Sequence, residues 1–313
     1  MKRSPRRPTG SKHVSLLDSL DVRPSIQRAL ERGHPVVALE STVLTHGIPR
    51  PTNFDIAREV EDQVRRAGAT PATIAVLDGR FVVGLDGEEL EQVCRRPDMR
   101  KLNRRDLAPA VALHWSGGTT VSATMLVAEA AGIRVFATGG IGGVHRGGTG
   151  DVSSDLTELA RTPVAVVCSG AKAILDLPRT LEWLETAGIP VVGWKTDAFP
   201  EFFSLGGQFP VSARVDSAVE AARLIEAQAE TGCGMLLCVP CPREEAVPSE
   251  TVAGALEAAE SQAAAASVTG KELSPFLLAR LVELTGGATL RANLALLRNN
   301  AAVAAEIAIG LVS

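Results

Sequence analysis

Thr162-Pro-Val-Ala-Val-Val-Cys-Ser-Gly-Ala-Lys172 is the stretch that decides the fold class. Residues 164–168 are an unbroken apolar run, the signature of a strand covered on both faces. Small residues then make a turn that ends on an amine. Ligands of open α/β sheets sit at the carboxyl ends of the strands. Only six of the 32 basic residues are lysine, so each lysine in an unusual place stands out. An amine can lose its proton when desolvated and attack a carbonyl to form a Schiff base; a guanidinium cannot.

Working outward, strand-like runs alternate with amphipathic stretches. Strands are predicted at 36–39, 73–77, 81–84, 108–114, 133–138, 164–168, 190–193 and 235–239. Helices are predicted at 25–32, 53–67, 119–131, 154–160, 176–187 and 216–229. The alternation predicts a three-layer α/β/α domain. Asp78-Gly79 between two strands marks a tight hairpin, so the central sheet should be mixed. From Thr251 the chain is rich in Ala and Leu and reads as two or three helices that cover the core. No linker separates them, so a single α/β domain over 21–313 is expected, preceded by a disordered basic tail over 1–20.

Composition narrows the function classes. The 313 residues are 45% hydrophobic and 22% charged, as in soluble globular proteins. A net charge of −4 argues against a nucleic-acid partner, which usually meets a basic face. No apolar run approaches the roughly 20 residues a membrane span needs. The basic start has no apolar segment behind it, so it does not read as a secretory signal. Five cysteines in apolar or irregular contexts fit a reducing, cytoplasmic setting. Cys233, Cys238 and Cys241 have part of a cluster-like spacing, but Cys238 sits inside a strand-like run and reads as core.

Five constellations could carry chemistry. Val36-Val-Ala-Leu-Glu40-Ser-Thr-Val-Leu-Thr-His46-Gly47 ends a buried strand on a carboxylate. Burial without an ion partner makes such a group a usable general acid or base; a helix cap or a salt-bridged Glu is the alternative. Lys101-Leu-Asn-Arg104-Arg105-Asp106 offers three cations to a phosphate, or is a solvated turn. Ser116-Gly-Gly-Thr-Thr120 opens a helix whose N–H groups suit an anion. Thr138–Asp155 holds seven glycines within the thirteen residues 139–151, followed by Ser153-Ser154-Asp155. Glycine lets backbone approach a ligand closely. His145, Asp151 and Asp155 suit Mg²⁺ or Mn²⁺, and Ser153 also reads as a helix cap. Asn293 and the Asn299-Asn300 pair lie in a C-terminal helix and could read a base or satisfy neighbouring backbone.

Together these segments resemble the pseudouridine-5′-phosphate glycosidase family, also described as indigoidine synthase A-like. The matching stretches include Val36–Gly47, Arg104–Leu107, Phe136-Ala-Thr-Gly-Gly-Ile-Gly-Gly-Val-His-Arg-Gly147, Val167–Asp176 and Ser274-Pro-Phe-Leu-Leu-Ala-Arg280. The likeness runs from about Ser25 to the C-terminus. It implies reversible cleavage of the carbon–carbon glycosidic bond of pseudouridine 5′-phosphate to uracil and ribose 5-phosphate, through a lysine Schiff base with ring-opened ribose. By the same likeness Lys172 is the Schiff-base lysine and Glu40 the proton donor. Lys101, Val121, Ser153, Ser154 and Asp155 would contact substrate, and His145 and Asn293 would line the pocket. Asp151 would bind Mn²⁺. The resemblance also implies a homotrimer. The segment between His145 and Asp151 is about two residues shorter than the family pattern, Ser154 stands where Ala is common, and Trp194-Lys195 replaces a more usual Tyr- or Gln-containing segment. Two other readings remain: a ribokinase-like sugar or nucleoside kinase, whose Gly-x-Gly-Asp string would sit near the C-terminus rather than at 148–151, and a non-catalytic nucleotide-binding protein.

Overall fold

Strands without a polar residue need cover on both sides, and the chain supplies it. A computed structural model describes residues 17–147 and 150–313. In chain order the elements are Leu20–Val22 (β1), Pro24–Glu31 (α1), Val36–Leu39 (β2), Thr52–Arg66 (α2), Thr70–Leu77 (β3), Arg80–Val83 (β4), Gly87–Arg95 (α3), Arg100–Leu102 (β5), Arg104–Ala112 (α4), Gly117–Thr119 (β6) and Val121–Ala130 (α5). The second half adds Val135–Ala137 (β7), Ser154–Leu159 (α6), Ala165–Cys168 (β8), Leu177–Thr186 (α7), Val191–Trp194 (β9), Ala213–Val215 (β10), Ala218–Ala229 (α8), Met235–Cys238 (β11), Ser249–Ala265 (α9), Leu273–Leu284 (α10) and Ala288–Gly310 (α11).

The sheet runs β1-β4-β3-β2-β7-β8-β11-β9-β10, with β5 and β6 branching from β3. From β3 to β10 every neighbour is parallel. Asp78 and Gly79 both take positive φ (47° and 79°), as the tight hairpin turn demands, and β3 and β4 pair antiparallel. The mixed sheet and single three-layer domain expected from the sequence are therefore present. Successive side chains of a strand point to opposite faces. Accordingly Val36 and Ala38 enter one core while Val37 and Leu39 enter the other. α2, α8 and α11 cover the second face; α5 packs on the first, against β2, β3 and β4.

The sequence reading did not anticipate α3, β5, β6 or β10, and three further details differ from it. Residues 108–114, expected as a strand, belong mostly to α4. The Asp106 carboxylate accepts from Asn103 N at 2.9 Å and fixes the helix start, a local signal that outweighs the β-like apolar run. The last of the three C-terminal helices is more than a cover: α11 lies against β2, β7 and β8 and buries Leu296, Asn300, Ala304 and Ile307. The expected tail at 1–20 falls largely outside the described residues. Within it, Leu17–Ser19 form a 3-10 turn and Leu20 pairs with Phe81, because β1 adds to the sheet edge. Among the described residues no helix is long and apolar enough to cross a membrane.

Candidate active site

The carboxyl ends of β2, β7 and β8 stand side by side and open into one cleft. Glu40 follows β2, Thr138 and two glycines follow β7, and Lys172 lies four residues beyond β8. β5 adds Lys101, and α11 adds Asn293. The fold thus brings Glu40, Lys101, Lys172 and Asn293 to the same walls. Phe202 and, from α10, Pro275 and Leu278 add apolar surface to the same cleft.

Glu40 is 7% exposed and accepts a hydrogen bond from the Thr138 hydroxyl. Burial raises its pKa above the usual carboxylate range; the nearby Lys172 charge and the Thr138 bond pull the other way without reversing it. The carboxyl is half of no salt bridge within 4 Å among the described contacts; it does take a backbone hydrogen bond from Val43 at the start of the next turn, so it is at once a local cap and a buried carboxyl facing the cleft. The hydroxyls after it are structural. Ser41 donates to Ile74 O at 2.6 Å and Thr42 to Gly118 O at 2.9 Å, tying the end of β2 to β3 and β6. The chain then makes a π-helical turn, Val43–Gly47, that carries His46 to the rim of the cleft. Lys101 has its pKa lowered, first by burial and then by the like charge of Lys172.

The cation cluster separates. Lys101 faces the cleft, whereas Arg104 pairs with the fully buried Glu158 and Arg105 is 84% exposed. Glu158 also takes Arg161 at 3.0 Å and the Thr162 hydroxyl at 2.5 Å. Three cations in five residues therefore yield one that faces the cleft.

The glycine-rich stretch runs from the cleft to a second polar cluster. Gly140 lets the ring of Phe202 approach: a Cβ there would meet its Cδ2 at 2.7 Å. Gly142 N donates to the Asp155 carboxylate at 2.8 Å, and the other carboxylate oxygen accepts from Ser122 N at 3.0 Å. Asp155 thereby occupies the N-terminal end of α5, beside the buried Val121. Ser153 caps α6 by accepting from Asp155 N, as the sequence suggested, and Ser154 reaches Ser122 at 3.0 Å and Asn103 at 3.2 Å. Val121, Ser153, Ser154 and Asp155 therefore gather with one another, but they do not line the cleft itself.

His145 and Asp151 lie on a hairpin-like loop, joined by His145 N to Asp151 O at 2.9 Å. The His145 Nε2 and Asp151 Oδ2 atoms are 4.0 Å apart, a separation one divalent ion could bridge. Neither residue lines the cleft. Among the described residues no group of three or more His, Cys, Asp or Glu gathers. Gly148 and Thr149 of this loop lie outside the described residues.

Sequence reasoning missed Thr138 as the partner of Glu40 and Phe202 as a wall; neither sits in a pattern that carries such a role. The Ser274–Arg280 motif was visible, but its position over the cleft was not.

The model of the indigoidine synthase A like protein family matches residues 25–310. A pseudouridine-5′-phosphate glycosidase of Methylobacterium nodulans is 52% identical over 93% of this chain and 88% of its own. The Escherichia coli protein of the same name is 50% identical over 92% of this chain and 94% of its own. Two crystal structures share the fold. An indigoidine synthase A-like protein of Thermotoga maritima has a TM-score of 0.86 at 38% identity, covering 98% of this chain and 100% of its own. The prealnumycin C-glycosynthase AlnA, solved with ribulose 5-phosphate, has a TM-score of 0.87 at 39% identity, covering 94% of this chain and 97% of its own. With such identity over nearly its full length, this chain belongs to the indigoidine synthase A-like family.

Proposed function

We propose that this protein is a pseudouridine-5′-phosphate glycosidase that reversibly converts pseudouridine 5′-phosphate and water into uracil and ribose 5-phosphate. The observation that carries the reading is the meeting of Lys172, Glu40 and Lys101 in one cleft. Relatives of that name at about half identity, and a C-glycosynthase neighbour holding a pentose phosphate, support the substrate class.

Breaking a C–C glycosidic bond requires somewhere for the electron pair to go. The ribose first opens: the C1′–O4′ bond breaks, O4′ takes a proton from Glu40, and the uracil N1 lone pair supplies electrons to C1′ through the ring. The neutral Lys172 Nζ then adds to C1′ and returns a proton to Glu40, and the pair from the C5–C1′ double bond moves back into the ring. Protonated Glu40 gives its proton to C5 of the uracil ring. The C1′–C5 bond then breaks, its pair stays with the ring, and the nitrogen lone pair closes the iminium. Water hydrolyses the iminium, returning the amine and releasing ribose 5-phosphate. Burial suits Glu40 to this role, because it keeps the carboxyl protonated at higher pH than an exposed glutamate. Lys101 offers a cation to the phosphate. Asn293 presents an amide to the base. Val121, Ser153, Ser154, Asp155 and His145 stand behind the cleft wall rather than on it; we assign them to the sugar-phosphate end because the Asp155 carboxylate acts electrostatically on both Lys101 and Glu40.

Mn²⁺ is part of the proposal. Asp151 would hold it with His145 as a second donor; one carboxylate and one imidazole with water completing the shell suit that ion. When bound it would supply positive charge at the loop between β7 and α6. A homotrimer in the cytoplasm completes the reading. Five free cysteines fit a reducing compartment, and light scattering tests the assembly.

Borohydride reduction in the presence of ribose 5-phosphate should label Lys172 covalently. The Lys172→Ala protein should fold, release no uracil and take no label. A wild-type protein left unlabelled under these conditions refutes the imine.

A further inference from the structure

Asn300 is fully buried in α11, yet it faces the carboxyl ends of two strands rather than apolar neighbours. Its Nδ2 donates to Thr138 O at 2.8 Å, with Gly139 O at 3.3 Å and the Ser169 Oγ at 3.1 Å around the second hydrogen. Its Oδ1 accepts from the Ser169 hydroxyl at 3.2 Å. Thr138 is the residue whose hydroxyl holds Glu40, and Ser169 begins the turn that ends on Lys172. One amide therefore bridges the strand end that sets the carboxyl and the strand end that presents the amine.

We propose that Asn300 is a positioning residue that sets Glu40, through Thr138, and Lys172, through Ser169, in register for the reaction proposed above, on which this role rests. The need is physical. Beyond Thr138 the chain reads Gly139-Gly-Ile-Gly-Gly143, and glycine-rich backbone has many conformations to lose. The turn at Ser169 contains Gly170 at φ 79°. Backbone bonds already join these segments to each other and to β8 (Ser169 N to Gly139 O at 2.8 Å, Lys172 N to Ile141 O at 3.0 Å, Thr138 N to Val167 O at 3.0 Å); what they lack is a side-chain tie from a packed helix to both strand ends at once. α11 supplies that tie through Asn300, since it packs on β2, β7 and β8. The Asn299 neighbour does not share the role; its amide reaches Pro240 O at 3.4 Å.

The test follows Glu40 itself and the reaction separately. Protein labelled with ¹³C at glutamate carboxyls is titrated by NMR, the Glu40 resonance being assigned by its loss in Glu40→Gln. Thr138→Val deletes the hydrogen bond directly and should move the Glu40 midpoint up by about one pH unit, the size of one bond to a charged group. Asn300→Ala should move it in the same direction, and the double variant should move it no further than Thr138→Val alone. Simple loosening of the core would admit water and move the midpoint down. Should Asn300→Ala not fold, Asn300→Ser, which keeps one donor, is expected to shift less in the same direction. With pseudouridine 5′-phosphate, Asn300→Ala should lower kcat about tenfold or more and leave KM within about twofold, because it touches no substrate. A midpoint that stays put or falls in both Asn300 variants while Thr138→Val raises it overturns the positioning role. Absence of uracil release by the wild type overturns the functional reading instead; the titration then still decides whether Asn300 governs Glu40.

Discussion

Replacing Gly142 by alanine asks why the loop beyond β7 is so rich in glycine. The added Cβ would lie 2.2 Å from the Ser153 Oγ, 2.6 Å from the Ser153 Cβ and 2.9 Å from the Asp155 Oδ2. Ordinary contacts of this kind are near 3.5 Å or more, so about 1 Å of movement is required. Neither neighbour is free to give it. Ser153 N donates to Gly143 O at 3.0 Å and its hydroxyl caps α6, while the Asp155 carboxylate bridges Gly142 N and Ser122 N. Overpacking costs about 1–3 kcal/mol, and a weakened charge-assisted bond adds about 1 kcal/mol. Together the loss is about 2–4 kcal/mol. A chain of this length has an unfolding entropy near 0.66 kcal/mol/K, so the melting temperature should fall by about 3–6 °C. Gly254→Ala in α9, where an added Cβ meets nothing within 4 Å, is the control and should be neutral or stabilising by about 0.5–1 kcal/mol. Because Ser153 and Asp155 must move, kcat/KM for uracil release from pseudouridine 5′-phosphate should fall at least about tenfold. A Gly142→Ala protein with wild-type melting and wild-type kcat/KM would refute the claim that this glycine exists for close approach to the serine–aspartate cluster.

Other perturbations have equally definite outcomes. Burial raises Glu40, so the folded form holds its proton to higher pH than the unfolded chain; the stability from this group is complete below about pH 4.5 and is lost as pH rises through the folded value. Glu40→Gln should therefore lose less stability between pH 5 and pH 8, read as urea midpoints, while uracil release drops by about 10²–10⁴. In the wild type, activity should decline as pH rises and the donor loses its proton. Glu158→Ala should cost about 2–3 kcal/mol, measured by urea denaturation: it orphans the Thr162 hydroxyl, but Arg104 and Arg161 are 38% and 45% exposed and can rehydrate. Asp151→Asn should weaken Mn²⁺ binding at least about tenfold by calorimetric titration, and leave the borohydride labelling of Lys172 detectable.

Much of this molecule was readable along the chain because the relevant signals are local. Apolar runs marked β2, β8 and β11, Asp78-Gly79 marked the hairpin that makes the sheet mixed, and Ser153 marked the start of α6. Where the reading failed, a local signal was weaker than a neighbouring one. Residues 108–114 look apolar enough for a strand, yet the helix begins four residues earlier at an aspartate-capped turn.

The order of residues alone determined the chemical groups available: a rare lysine after a buried strand, a glutamate ending another, and a glycine-rich track between polar residues. Periodicity and turn chemistry act over a few residues, so one dimension suffices to show them. Which groups meet was decided only in three dimensions. Lys101 turns into the cleft while Arg104 turns away to Glu158, Thr138 finds Glu40 across 98 positions, and Asn300 reaches Ser169 across 131. Those pairings depend on β2, β7 and β8 lying side by side under α11, an order fixed by long-range packing of the whole sheet that no short window of sequence contains.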